Sequence, residues 1–210
     1  MWRQHVQVRV SFAGQAGCAT TQTVSMKIFL RRAAVACLLC LALPGGYLFH
    51  LQSSGNFHPI VKGEAYRSAQ PDGDDLRRWA TETGIRSVIN LRGSHEGTPW
   101  YDEEVAISNE LGLRHYDFGM LASKGLDRAR AATLLTLLRD APKPVLIHCK
   151  AGSDRTGLAS ALYLADRGDG EELAEGQISL RYGHVSLPFT AAWPIDQSWE
   201  ALEGWLGYTS

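Results

Sequence analysis

The chain has 210 residues, 45% of them hydrophobic and 20% charged, which excludes a disordered chain. That length fits one domain of ordinary size with room for an appendage. The net charge of -1 supplies no basic field, so nucleic acid is not expected as a partner.

The N-terminal quarter differs from the rest. Residues 33–51, AAVACLLCLALPGGYLFHL, hold no Asp, Glu, Lys or Arg over nineteen positions. A helix of that length crosses a hydrocarbon core about 30 Å thick. Pro44, Gly45 and Gly46 would kink it without stopping it. Lys27, Arg31 and Arg32 flank its start, and the other side has no comparable cluster before Lys62. The positive-inside rule then leaves residues 1–32 as a short cytoplasmic segment and sends the remainder across, to the periplasm or cell exterior. The expected organisation is a single-pass anchor at 33–51 and a catalytic domain at 57–210. A cleaved signal peptide is the competing reading, but no small-x-small site follows the apolar run. Met26 is an alternative start to Met1. Cys37 and Cys40 form a C-x-x-C pair inside the apolar run, without a second pair or a partnering His, and read as helix residues. The remaining domain carries one thiol, Cys149, and cannot close an internal disulfide.

Beyond His58, strand and helix signals alternate. Residues 64–67 read as a short strand. PDGDDLRRWATETG follows as a helix, with acidic residues at its start and Gly84 as its stop. RSVINL, 86–91, is a β-branched run of a buried strand. Residues 101–111 read as a helix opened by Asp102, Glu103 and Glu104 and closed by Gly112. A fourth strand is expected at 114–118. The helix at 126–139 has Leu134, Leu135, Leu137 and Leu138 as its apolar stripe, and Pro142 and Pro144 end it before a strand at 145–147. A helix-like run covers 158–164. Trp193, Trp199 and Trp205 in the tail read as core or docking aromatics. This alternation predicts an α/β domain with a central, largely parallel sheet flanked by helices, whose ligands bind at the carboxyl ends of the strands.

Cys149 falls at such an end, in VLIHCKAGSDRTGLAS. A strand-to-helix turn from Cys149 to Arg155 can point the backbone N–H groups of Lys150, Ala151, Gly152, Ser153, Asp154, Arg155 and Thr156 at one anion, and the helix dipole adds positive potential there. That potential favours the thiolate needed for nucleophilic attack. Arg155 adds a planar fork of donors suited to two phosphate oxygens, and Gly152 permits backbone geometry that a side chain would obstruct. Thr156 can donate its hydroxyl to the sulfur, and His148 can fix the loop from behind.

HCKAGSDRTG resembles the signature H-C-x-x-G-x-x-R-[ST] of cysteine-dependent protein tyrosine and dual-specificity phosphatases. YRSAQP at 66–71 and VINLR at 88–92 are similar to segments of a bacterial and fungal branch of that superfamily, and the resemblance covers about 57–182. It implies a phosphoric monoester hydrolase in which the Cys149 thiolate takes the phosphoryl group, Arg155 stabilises its equatorial oxygens, and water releases the phosphocysteine, with no cofactor and no metal. It also implies an aspartate on an upstream loop as general acid. Asp117, 32 positions before Cys149 and directly after a strand, is preferred to Asp127, which has a role as a helix cap.

The D-R-T ending of the loop resembles that of phosphatases acting on inositol lipids and of broad-specificity bacterial relatives. The expected partners are therefore a phosphorylated protein, a phosphoinositide or an inositol phosphate, and the membrane through the N-terminal helix. Lys150 could add charge for a polyanionic head group, and Lys124 could reach a second phosphate. Arg92 lines the pocket or pairs with Glu96 or Glu103. Tyr66, Arg67 and Gln70 fix the fold beside the site, and His115 reads as a strand residue. The alternative is a non-catalytic phosphate- or phospholipid-binding module using the same loop, which has no need of Cys149 and Asp117 together. The sequence leaves oligomeric state open.

Overall fold

The computed structural model describes residues 18–209. Residues 1–17, and with them Met1 and most of the expected cytoplasmic segment, lie outside the described residues. The chain divides after Tyr47, and Leu48–Ser210 forms a compact unit of its own. Helix α1, Cys18–Ser53, runs on through Pro44, Gly45 and Gly46. Its portion Phe29–Ser53, with mean hydropathy 1.8, is long and apolar enough to cross a membrane. The six residues 48–53 of α1 already belong to the second unit, which therefore takes in the segment before Phe57 as well.

That unit is built on a five-stranded sheet: β1 (His58–Val61), β2 (Ala65–Ser68), β3 (Ser87–Asn90), β4 (Arg114–Asp117) and β5 (Val145–His148). The spatial order is β1-β2-β5-β3-β4. All neighbours run parallel except β1 and β2, which form a hairpin. β1 went unpredicted, since HPIV shows no alternation and carries a proline, as an edge strand can.

The helices follow from local chemistry. Asp72 caps α2 (Gly73–Thr83) by accepting from Asp75 N at 2.8 Å, and Gly84 ends it in the left-handed conformation at φ 70°. α3 (Pro99–Glu110) starts on a proline, whose missing N–H has no partner to lose there. Asp127 caps α4 (Arg128–Asp140) by accepting from Arg130 N at 2.8 Å. Beyond β5 come α5 (Asp154–Asp166), α6 (Glu171–Glu175), a 3-10 turn (Leu180–Tyr182) and α7 (Trp193–Leu206).

The two faces of the sheet part by the strand period of two. Leu146 and Val88 join Leu76, Trp79 and Ile107 of α2 and α3. Val145, Ile147 and Ile89 turn the other way, onto α4, α5 and α7. α5 is buried from Thr156 to Ala165, and a Cβ on Gly157 would stand 2.9 Å from the Gln177 carbonyl, so glycine lets the helix pass there. Trp199 is core, whereas Trp205 is half-buried with Arg128 5.2 Å from its ring centre. Register aligns Ser68, His148, Asn90 and Asp117 in one row at the carboxyl edge of the sheet.

Candidate active site

Cys149 follows β5 directly, is 2% exposed, and opens the loop that closes at Arg155 on the first turn of α5. Every carbonyl on the outer rim of this loop is held by a donor from elsewhere. Gln70 N donates to Lys150 O at 3.2 Å. The Asn56 side-chain amide and Gln52 Nε2 donate to Ala151 O at 3.0 and 3.2 Å. Arg67 Nη2 donates to Gly152 O at 2.8 Å and Ser153 O at 3.4 Å, and Gly157 N also reaches Ser153 O. Among the described residues, none of the amides of residues 150–153 donates to another backbone group. Carbonyls anchored outside and amides uncommitted within make a nest for an anion.

Gly152 is required twice over. Its φ of 73° suits glycine, and a Cβ would meet Ala69 N at 2.6 Å and the Ser68 carbonyl carbon at 2.7 Å. The loop thus lies flat on the end of β2.

Arg67 is fully buried, stacked 3.8 Å over the Tyr182 ring, with Nη1 donating to the main-chain and side-chain oxygens of Gln177 at 2.8 and 2.9 Å. Burial lowers its pKa to about 10, partly offset by the negative charge available at Tyr182 and Cys149. At neutral pH it stays cationic, behind the loop.

A second network backs the other side. Glu104, 2% exposed, accepts from His115 Nε2 at 2.6 Å and His148 Nε2 at 3.1 Å, and also from the Gln70 amide. Burial pushes this carboxyl up, but His148 and His115 together outweigh burial and hold it well below the usual range. Gln70 in turn accepts from Arg92 Nη1 at 2.8 Å, and Arg92 stacks 3.4 Å over Trp100. Burial lowers the Arg92 pKa, followed by repulsion from Arg155, while Glu104 and Cys149 oppose the fall. Arg92 therefore feels the charges of Arg155 and Cys149.

Asp117 ends β4 and is exposed. Asn90 Nδ2 donates to Oδ1 at 2.8 Å, and Tyr101 OH donates to Oδ2 at 2.5 Å. In the shared row Asp117 is two strands from His148, about 10 Å at the usual strand spacing. Arg155 Nη1 donates to Met120 O at 3.2 Å and so ties the segment after β4 to the loop.

A sequence model described as the tyrosine phosphatase family matches residues 46–169. The chain belongs to the tyrosine phosphatase family. Solved structures agree in fold. TpbA of P. aeruginosa is 21% identical with a TM-score of 0.55, over 74% of this chain and 92% of that one. The core catalytic domain of the PP-IP phosphatase SIW14 from S. cerevisiae, in complex with citrate, is 18% identical with a TM-score of 0.54, over 74% and 94%. PTPMT1 in complex with PI(5)P is 16% identical with a TM-score of 0.53, over 70% and 97%. The chain is a tyrosine phosphatase-like hydrolase, built on a mostly parallel α/β sheet as expected.

Several expected residues of this phosphatase land differently. The Asp154 side chain does not turn to the anion nest but to His184, 2.8 Å away. A carboxylate facing a phosphate would be repelled, so only its N–H suits the nest. The Thr156 hydroxyl is buried and makes no hydrogen bond, so the expected bond to sulfur is not formed. His148 is fixed by Glu104, and its Nδ1 is buried without a partner. Arg92 pairs with Gln70 and Trp100 instead of Glu96 or Glu103, since Gln70 sits closer to the strand ends. Lys150 is exposed at the rim. Lys124 lines a depression in the segment after β4 together with Met120, Leu121 and Arg130. Asp127 is occupied as the α4 cap. Among the described residues no group of three or more His, Cys, Asp and Glu is arranged to hold a metal.

Asn56, Tyr101, Glu104 and His184 escaped sequence reasoning. Asn56 alone left a signal, because Gly-Asn after a helix marks a left-handed turn and its φ is 47°.

Proposed function

We propose that this phosphatase hydrolyses phosphoric monoesters through a phosphocysteine at Cys149. The reading is carried by one observation: the rim carbonyls of residues 150–153 are all clamped outward around a buried cysteine with an arginine at the loop's end. In the first step the Cys149 thiolate forms an S–P bond, the P–O bond to the substrate breaks, and Asp117 gives its proton to the departing oxygen. In the second, Asp117 takes a proton from water, which attacks phosphorus, and inorganic phosphate leaves while the thiolate returns. Amides of residues 150–156 and the Arg155 fork stabilise the equatorial oxygens in both.

The substrates proposed are phosphoinositides or inositol phosphates, with phosphorylated protein as the other class. Arg92 and Lys150 at the rim support a polyanionic head group, and the fold relatives include a PP-IP phosphatase and a PTPMT1 structure in complex with PI(5)P. We also propose residues 33–51 as a single-pass anchor with the domain from 57 on outside the cytoplasm. The basic flank at Lys27, Arg31 and Arg32 supports that orientation.

Acid quenching of the full chain during turnover of a 32P-labelled aryl phosphate tests the mechanism. Acid-stable label on the peptide containing Cys149, lost in Cys149→Ser, is expected. Turnover by Cys149→Ser at the wild-type rate overturns it. An alkaline phosphatase reporter joined after Ile60 should be active if the orientation is right, and inactive if it is reversed.

A further inference from the structure

His184 is 1% exposed and takes no part in the chemistry above. Its Nδ1 lies 2.8 Å from Asp154 Oδ1, and its Nε2 lies 3.2 and 3.1 Å from the two oxygens of Asp196. It follows the 3-10 turn, Asp154 opens α5 next to Arg155, and Asp196 is in the first turn of α7. Glu175 of α6 and Glu200 of α7 line a small hollow with Asp196. The titratable side chains of this cluster and hollow, Asp154 from α5, Glu175 from α6, and Asp196 and Glu200 from α7, are thus all acidic beside His184.

An ionised carboxylate only accepts, so a ring bonded to one at each nitrogen must donate from both, as imidazolium. Burial alone would favour the neutral ring, but the bonds and charges of Asp154 and Asp196 outweigh it and raise the pKa.

Asp154 stands between Ser153 and Arg155, in a loop shaped to receive a phosphate dianion. An untethered carboxylate there would repel that dianion and compete for the Arg155 fork. We propose that His184 is a positioning residue that ties Asp154 back toward α7 and offsets part of its charge, leaving Arg155 free for the substrate phosphate. The proposal rests on the reading of residues 149–155 as the phosphate site.

The test uses the full chain in detergent. His184→Gln keeps a polar side chain but removes the positive charge. The KM for p-nitrophenyl phosphate and the dissociation constant for inorganic phosphate should rise roughly tenfold, more at low ionic strength, while kcat falls less. Adding Asp154→Asn to His184→Gln should restore both constants to within about threefold, because the offending charge is gone. Unchanged phosphate affinity in His184→Gln overturns the proposal. A double variant no better than the single one also overturns it, since that marks a purely structural role. Should His184→Gln fail to fold, nitrogen NMR of the wild-type histidines decides. His184 should keep protons on both ring nitrogens above the ordinary histidine value of about 6.5, and a ring titrating at or below that value overturns the proposal. Phosphate binding is measured calorimetrically, so an absence of turnover would count against the hydrolase reading and leave this test standing.

Discussion

The Arg67 guanidinium donates to Gly152 O at 2.8 Å while its other nitrogen holds both oxygens of Gln177, so one buried cation joins the catalytic loop to the segment after α6. Arg67→Met fills much the same volume but leaves those oxygens buried without a donor, at about 1–3 kcal/mol each when unsatisfied. A stability loss of roughly 3 kcal/mol or more is expected in chemical denaturation, together with weaker vanadate binding. Arg67→Lys should recover only part, since one ammonium cannot span Gly152 and Gln177. A denaturation midpoint unchanged in Arg67→Met would show that the clamp is idle.

Gly152→Ala probes the flat seat of the loop on β2. The added methyl would lie 2.6 Å from Ala69 N and 2.7 Å from the Ser68 carbonyl carbon, both backbone atoms that cannot rotate away. The φ of 73° adds strain of about 1 kcal/mol for alanine. The loop must therefore lift, turning its amides off the phosphate. A drop in kcat/KM of at least about 100-fold is expected, the loss seen when a preorganised donor is removed. Near-normal kinetics would mean that the amides do not need this seat.

Glu104 makes a pH-dependent contribution to stability. Its folded pKa is depressed by His148 and His115 against the upward push of burial. Its contribution is accordingly present above the unfolded carboxyl value near 4.5 and fades as pH falls through the lower folded value. Glu104→Gln should cost roughly 2 kcal/mol at neutral pH, and the gap to wild type should narrow below about pH 4.5. Thermal melts across that range check it. A gap that widens in acid would reverse the assignment.

The order of elements from β2 to α5 was legible because each carries its own local signal, such as the caps at Asp72 and Asp127 and the stop at Gly84. The strand-to-helix turn from Cys149 to Arg155 was legible for the same reason, since it is one continuous stretch of chain. Of what holds that loop, Arg67 and Gln70 read correctly as fixing the fold beside it, and the rest did not. Asn56, Glu104 and His184 reach it from α1's exit, α3 and the segment before α7, and only the strand order brings them together. Glu104 read as one of three acidic residues favouring a helix start, yet it is the one turned inward. Asp154 read as a donor of its backbone N–H to the nest, while its side chain turns to His184, a contact no local signal marks.

Asp117 is held at both oxygens, by Asn90 and Tyr101, in the carboxyl-edge row that also contains His148. Such orientation suits a group that must meet the departing oxygen at one angle. A general acid matters most when the leaving group is poor. Asp117→Asn should slow hydrolysis of phenyl or alkyl phosphates by roughly 10²- to 10⁴-fold, the usual contribution of a positioned acid. The loss should be clearly smaller with a nitrophenyl ester, whose phenolate leaves with little help. Asp127→Asn should show neither effect, only about 1 kcal/mol or less from a weakened α4 cap. Leaving-group dependence in Asp127→Asn but not in Asp117→Asn would mean that the segment from Phe118 to Leu126 closes over the loop during turnover and brings Asp127 to the substrate. Leaving-group dependence in neither would place the acid on the substrate itself, as a neighbouring phosphate of a polyphosphorylated inositol can supply.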